Sequence, residues 1–117
     1  MTPASLKPAI SPAVVDAIDV RVGTIVLVED VPRSDRLVRL TVDFGDHCRR
    51  IVAGLKQERA DPKAIEGRQA LFVVNLEPKT IRGELSEGML FDIGYADGFT
   101  PVLAVPEREV PNGARVG

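Results

Sequence analysis

The stretch CRRIVAGLKQERADPKAIEGRQALFVVNL, residues 48–76, decides the fold. CRRIVAGL and QALFVVNL each read as a strand, rich in β-branched and apolar residues. Between them, Asp61-Pro62 through Gly67 supplies a capping acid, a first-turn proline and a stopping glycine, which predicts a short helix. The eight apolar-rich residues of QALFVVNL scarcely alternate, so both faces of that strand should be covered, one by the core and one by a helix or a second subunit.

Working outward, LVRLTVDFG (37–45) alternates strictly, with Val38, Leu40, Val42 and Phe44 inward and Arg39, Thr41 and Asp43 outward. Gly45-Asp46 turns it back into CRRIVAGL as a hairpin. Further upstream, DVRVGTIVLV (19–28) is a strand whose alternation slips at Gly23. Val20 and Val22 share one face, then Ile25 and Leu27 take over, so a β-bulge is expected at the glycine. Ser11-Pro12 opens a short helix over AVVDA. Downstream, GMLFDIGY (88–95) is a fifth strand and TPVLAVP (100–106) a shorter sixth. The expected class is all-β: an OB-fold, a five-stranded barrel with short helices and an extra C-terminal strand.

A chain of 117 residues is one domain, and 44% apolar with 27% charged residues excludes a disordered polypeptide. Residues 1–12 form a Pro-rich segment expected to be flexible, and residues 13–117 form the domain. No apolar run approaches a membrane span, the N-terminus lacks the pattern of a signal peptide, and there is one Cys, so the expected compartment is the cytoplasm. Net charge is −2, yet Arg33 to Arg82 holds eleven Lys or Arg against seven Asp or Glu, while the flanks hold four cations and ten acids. A basic middle sits between acidic ends.

An OB-fold binds ligands on the face of its second and third strands, between the loops joining strands 1–2 and 4–5. The first loop carries Arg33 and Arg36, the second carries Lys79 and Arg82, and Arg39 lies on the outer face of strand 2. His47 and Cys48 are neighbours, but the chain has no other His or Cys to complete a zinc site, and adjacent strand residues point to opposite faces. No nucleotide-cradling or metalloprotease motif is present, nor paired acid–base carboxylates, so neither an enzyme nor a cofactor is expected. Phe44, Phe72, Phe91, Tyr95 and Phe99 fall mostly inward or near a turn, which leaves no evident platform for stacking bases and favours structured RNA over single-stranded DNA.

DVRVGTI (19–25), SDRL (34–37), VAGL (52–55) and above all NLEPKTIRGELSEGML (75–90) resemble the tRNA-binding domain family. Its members include a domain appended to some methionyl-tRNA synthetases, free-standing tRNA-binding proteins and the CsaA group of export chaperones. The resemblance implies a homodimeric OB-fold that binds tRNA by shape and backbone. It implies Asn75, Lys79, Arg82, Ser86 and Met89 as groove residues, supported by Arg33, Arg36 and Arg39. Ala53 departs from the family's usual Ser, whereas Gly88-Met89-Leu90 keeps the step that CsaA-type members replace, which favours the tRNA-binding branch. Unfolded or exported polypeptide is the alternative ligand, and an aminoacyl-tRNA synthetase a further partner. On residue chemistry alone, Lys79 and Arg82 are either solvated loop cations or phosphate contacts. Asn75 either satisfies a strand end or reads a base or 2′-hydroxyl, Ser86 forms a turn or holds a phosphate, and Met89 is core or contact. Gly83 and Gly88 are backbone devices.

Overall fold

The computed structural model describes residues 2–117. Strands β1 (Val20–Asp30), β2 (Val38–Asp43), β3 (Cys48–Ala53) and β4 (Gln69–Val73) are joined by the short β7 (Met89–Leu90) in one antiparallel sheet, ordered β3-β2-β1-β4-β7. The first half of β1 pairs with β4 and the second half with β2, Thr24 facing both Asp43 and Gln69. A strand shared this way must bend, and the bend curls the sheet towards a barrel. The mostly β, curled sheet with one small helix is the expected OB-like architecture.

The alternation of β2 is observed, with Val38, Leu40, Val42 and Phe44 buried. They pack with Ile25, Val28, Ile51, Leu55, Ala70 and Phe72, and the Phe44 and Phe72 rings meet edge to face at 5.5 Å. Each fully buried Ile, Leu or Phe contributes roughly 1.5–3 kcal/mol. The helix between β3 and β4 is a single 3-10 turn, Pro62–Ile65. Its cap Asp61 accepts the Lys63 amide, and Ile65 plugs the core.

The bulge in β1 lies at Val26, between Ile25 and Leu27, three residues beyond the glycine. Gly23 is regularly paired, and it is glycine because an added Cβ would come within 2.5 Å of Val42 and 2.8 Å of Phe44. The shift turns Leu27 outward and Val28 inward, reversing the expected face of Leu27.

The loop expected between the fourth and fifth strands instead folds into a hairpin arm of β5 (Lys79–Ile81) and β6 (Glu84–Ser86). Its two-residue turn has positive φ at both Arg82 (51°) and Gly83 (80°), the geometry whose twist matches a hairpin. The expected fifth strand breaks at Phe91. Met89–Leu90 stays with β4, while β8 (Asp92–Ile93) pairs with β9 (Val102–Leu103) in a separate ribbon. The C-terminus returns to β1, where Val22 donates to Ala114 and Val116 to Val20.

Helix α1 (Pro12–Asp16) forms where expected, although the Ser11 side chain makes no capping bond. None of its residues is buried. Residues 2–11 carry no helix or strand, and Met1, the first residue of the segment expected to be flexible, lies outside the described residues. Among the described residues no helix is long and apolar enough to cross a membrane.

Candidate functional site

The barrel closes between β3 and the β6–β7 segment, and side chains do the closing. Arg50 donates its amide to Glu87 Oε1 (3.0 Å), and its carbonyl accepts the Glu87 amide (2.8 Å). The Val52 amide donates to Ser86 Oγ (3.0 Å), and that hydroxyl donates to the Gly88 carbonyl (3.1 Å). Ser86 is 4% exposed, so its hydroxyl is committed to this seam. Arg49 crosses the same seam, bonding the Val74 and Glu87 carbonyls.

Above the seam, the hairpin arm overhangs a groove of about 660 Å³ whose lining includes Val52, Asn75, Lys79, Ile81, Ser86 and Met89. Four of the expected site residues therefore meet in one place. Met89 is 44% exposed along the floor, which resolves the choice between core and surface in favour of surface. Lys79 is exposed at the rim. The Asn75 amide is engaged elsewhere: Oδ1 accepts the Asp19 amide (2.8 Å) and Nδ2 donates to the Ala17 carbonyl (2.7 Å), clasping the chain that follows α1.

The remaining cations divide by their partners. Arg82 sits exposed at the hairpin tip, beyond the groove lining. Arg33 and Arg36 are exposed in the β1–β2 loop, and Arg36 lines a second cavity that shares Val52 and Met89 with the groove. Arg39 is bound up in ion pairs with Glu29 (3.1 Å) and Glu84 (3.0 Å), which tie the arm to β1 and β2. These hydrogen bonds, first to Glu29 and then to Glu84, push its pKa further above the usual guanidinium range. Its charge is neutralised locally.

Two residues were overlooked by sequence reasoning. Arg50 lies opposite Thr41, on the outer face shared with Val52, exposed and without an ion pair among the described residues. The alternation around inward-facing Ile51 carried that signal. Lys56 donates to the Val31 (3.2 Å) and Ser34 (2.5 Å) carbonyls and pairs with Asp30, fixing the loop that presents Arg33 and Arg36. Nothing local in the sequence marks it. His47 is a hairpin residue bonded to Asp46 (2.6 Å) and Arg49 (3.0 Å) and stacked on Phe44, and Cys48 is exposed and unpaired. Among the described residues no cluster of three or more His, Cys, Asp or Glu is arranged to hold a metal. Tyr95 and Phe99 are exposed in the turn over residues 94–99.

A family described as "Putative tRNA binding domain" matches residues 20–115, covering the barrel, the arm and the C-terminal return. This chain belongs to the tRNA-binding domain family. The methionine–tRNA ligase of Thermococcus kodakarensis is 43% identical to this tRNA-binding domain over 99 residues, 85% of this chain and 13% of the enzyme. The ligase of Chlorobium chlorochromatii is 39% identical over 110 residues, 94% of this chain and 15% of the enzyme. The domain thus spans about one-seventh of the curated relatives it matches. Among solved structures, a MetRS-related protein from Pyrococcus horikoshii superposes with a TM-score of 0.86 at 35% identity, covering 95% of this chain and 100% of that one. The chaperone CsaA from Bacillus anthracis follows with a TM-score of 0.79 at 27% identity, covering 94% and 100%.

Proposed function

We propose that this domain is a non-catalytic module that binds tRNA in the groove beneath the hairpin arm, largely through shape and backbone contacts, and does so as a homodimer. One observation carries the reading. Exposed Lys79 lines the groove and exposed Arg36 the cavity that adjoins it, Val52 and Met89 belong to both, and exposed Arg82 and Arg50 stand at the hairpin tip and two residues from Val52 on β3. Cations around an apolar strip suit a polyanion whose bases and sugars also make contact. In this reading Lys79, Arg82, Arg50 and Arg36 meet phosphates, Arg33 assists from the adjoining loop, and Met89 offers apolar surface. Asn75, Ser86 and Arg39 support the groove from behind.

The dimer reading rests on apolar surface without cover in one chain. Val14, Val15 and Ile18 around α1 are exposed, as are Val102, Val105 and Val116 near the C-terminus. A symmetric pair joined there would extend the binding face beyond what one small barrel offers. Residues 13–117 form the working unit, residues 2–11 lead into it, and the cytoplasm is the compartment where tRNA and an associated synthetase would be met.

Unfolded polypeptide is the second reading, favoured by the apolar lining of Ile81, Leu76 and Met89. Titration with total tRNA and with an unfolded polypeptide across a salt series separates the two. Phosphate contacts predict steep weakening as salt rises, and apolar binding predicts a flat response. Lys79→Ala with Arg82→Ala should weaken tRNA binding at least about tenfold, since hydrogen bonds to charged groups contribute roughly 1.5–3 kcal/mol each, with the melting temperature nearly unchanged. A double variant that binds tRNA like the parent refutes the groove assignment.

A further inference from the structure

The seam between β3 and β7 is not closed along its whole length. Phe44 donates to the His47 carbonyl, and counting from that bond, Arg49, Ile51 and Ala53 exchange bonds with β2. Arg50 and Val52 therefore present their backbone groups to the seam, and Gly54 follows the end of the strand at the centre of a turn in which Leu55 donates to Ala53. Glu87 takes both groups of Arg50, and Ser86 takes the amide of Val52. Beyond that point the Val52 carbonyl and the Gly54 amide have no partner among the described residues. A cavity of about 190 Å³ opens there, lined by Arg36, Gly54, Glu58, Met89, Asp92 and Tyr95.

We propose that this cavity is a pocket for one unpaired nucleobase of the bound RNA, its polar edge on the Val52 carbonyl, the Gly54 amide and the Glu58 carboxyl, and its ring against Tyr95 and Arg36. The inference rests on the tRNA reading of the adjoining groove and adds the kind of RNA element that reading leaves open.

Four features carry it. The cavity holds about six waters at roughly 30 Å³ each, the scale of one base and too small for a run of chain. Its polar edge offers one free acceptor and one free donor, too little for strand addition by a peptide, which needs a ladder. Tyr95 is 73% exposed and lines the cavity together with Arg36, so its ring is open to stacking. Arg36 lies over Gly54, its guanidinium 3.5 Å from where a Cβ would stand. Finally, Glu58 and Asp92 give this cavity two carboxylates, whereas the adjoining groove sets Lys79 beside Glu77. Carboxylates repel phosphate but accept the N–H groups of a base. The Glu58 side chain is 13% exposed with Arg59 at 3.5 Å from Oε2, and burial, reinforced by Asp92, still pushes its carboxyl above the usual range. Such a group gains from a base donor.

The test uses full-length protein, labelled tRNA, a single-stranded RNA octamer and a blunt RNA duplex carrying the same number of phosphates. The octamer should displace tRNA and the duplex should not. Tyr95→Ala should weaken binding of tRNA and octamer by roughly five- to a hundredfold, the usual range for losing one stacked base. Tyr95→Phe should bind like the parent. Tyr95→Ala should also leave the salt slope unchanged, whereas Lys79→Ala with Arg82→Ala should make it shallower by about 1–2 units. If Tyr95→Ala binds tRNA like the parent while the double variant is weakened, the groove reading stands and the base pocket is refuted. If the parent binds neither RNA, both fall together. Displacement of tRNA by an unfolded polypeptide but not by the octamer also overturns the proposal.

Discussion

Ser86 offers the sharpest separation of a structural from a ligand-binding role within the 75–90 motif. Its hydroxyl accepts the Val52 amide at 3.0 Å and donates to the Gly88 carbonyl at 3.1 Å, with the residue 4% exposed. Ser86→Ala removes both bonds and leaves an amide and a carbonyl without partners in a nearly dry place. Two net hydrogen bonds contribute about 1 kcal/mol each, and a stranded buried donor costs about 1–3 kcal/mol in its own right. Relaxation and water entry at the seam recover part of this, so about 2–3 kcal/mol is expected. For a domain of this size that lowers the melting temperature by roughly 10 °C. Affinity for tRNA, measured well below the transition, should stay within about threefold, because removing the hydroxyl strips no charge from the groove. Circular dichroism melts and filter-binding titrations of the same preparation decide it. An unchanged melt with tRNA affinity down tenfold would refute the reasoning and make the hydroxyl an RNA contact.

The other perturbations act on the supports of the groove. Asn75→Ala should destabilise by about 1–2 kcal/mol by releasing the Asp19 amide and the Ala17 carbonyl. Because it frees the chain leading from α1, it should also shift sedimentation towards monomer. Arg39→Gln loses two partly exposed ion pairs and should cost no more than about 1 kcal/mol overall. Amide exchange in Thr80–Leu85 should nevertheless quicken, as the arm loses its tie to β1 and β2. Glu58, although it pairs with Arg59 at 3.5 Å, titrates with the opposite sign from most paired carboxylates because burial outweighs that pairing. Its folded pKa is raised above 4.5, chiefly by burial, so the folded state keeps a proton that the unfolded state has released, and stability falls as pH rises through that window. Glu58→Gln should therefore melt at or above the parent near neutral pH, and the difference should vanish below about pH 4, where both states are protonated.

Much of the fold was legible because local rules and the tertiary environment agree. β2 alternates without interruption, and its inward residues are the core. The 3-10 turn appears where Asp61-Pro62 announces it. Gly23 misled because glycine serves two purposes: a bulge and a tight approach look alike in sequence, and only the nearness of Val42 and Phe44 tells them apart. The hairpin arm was hidden because its turn places Arg82, not Asn or Asp, at a positive φ, so the usual hairpin dipeptide is missing. For the candidate site, the resemblance brought residues 75–90 to notice but not which of their polar atoms are already partnered. Asn75 finds its partners 56 and 58 residues away and Arg39 finds Glu84 at 45, distances at which no periodicity speaks.

That division follows from how the barrel closes. A sheet edge must satisfy its amides and carbonyls somewhere, and here β7 is too short to do so with a ladder. Ser86 and Glu87 therefore reach across to Val52 and Arg50 with side chains and with one backbone pair. Side-chain closure has a consequence that a full ladder lacks. It ends where the side chains end, leaving the Val52 carbonyl and the Gly54 amide free beside the groove. Ser86 is thus consumed in holding the barrel shut and Asn75 in clasping the chain after α1, while Lys79, Arg82 and Met89 remain free to meet a ligand. A motif residue's role then turns on whether its polar atoms already have partners in the folded chain, and by that criterion the cations and the open edge are free for a ligand while Asn75 and Ser86 face the protein.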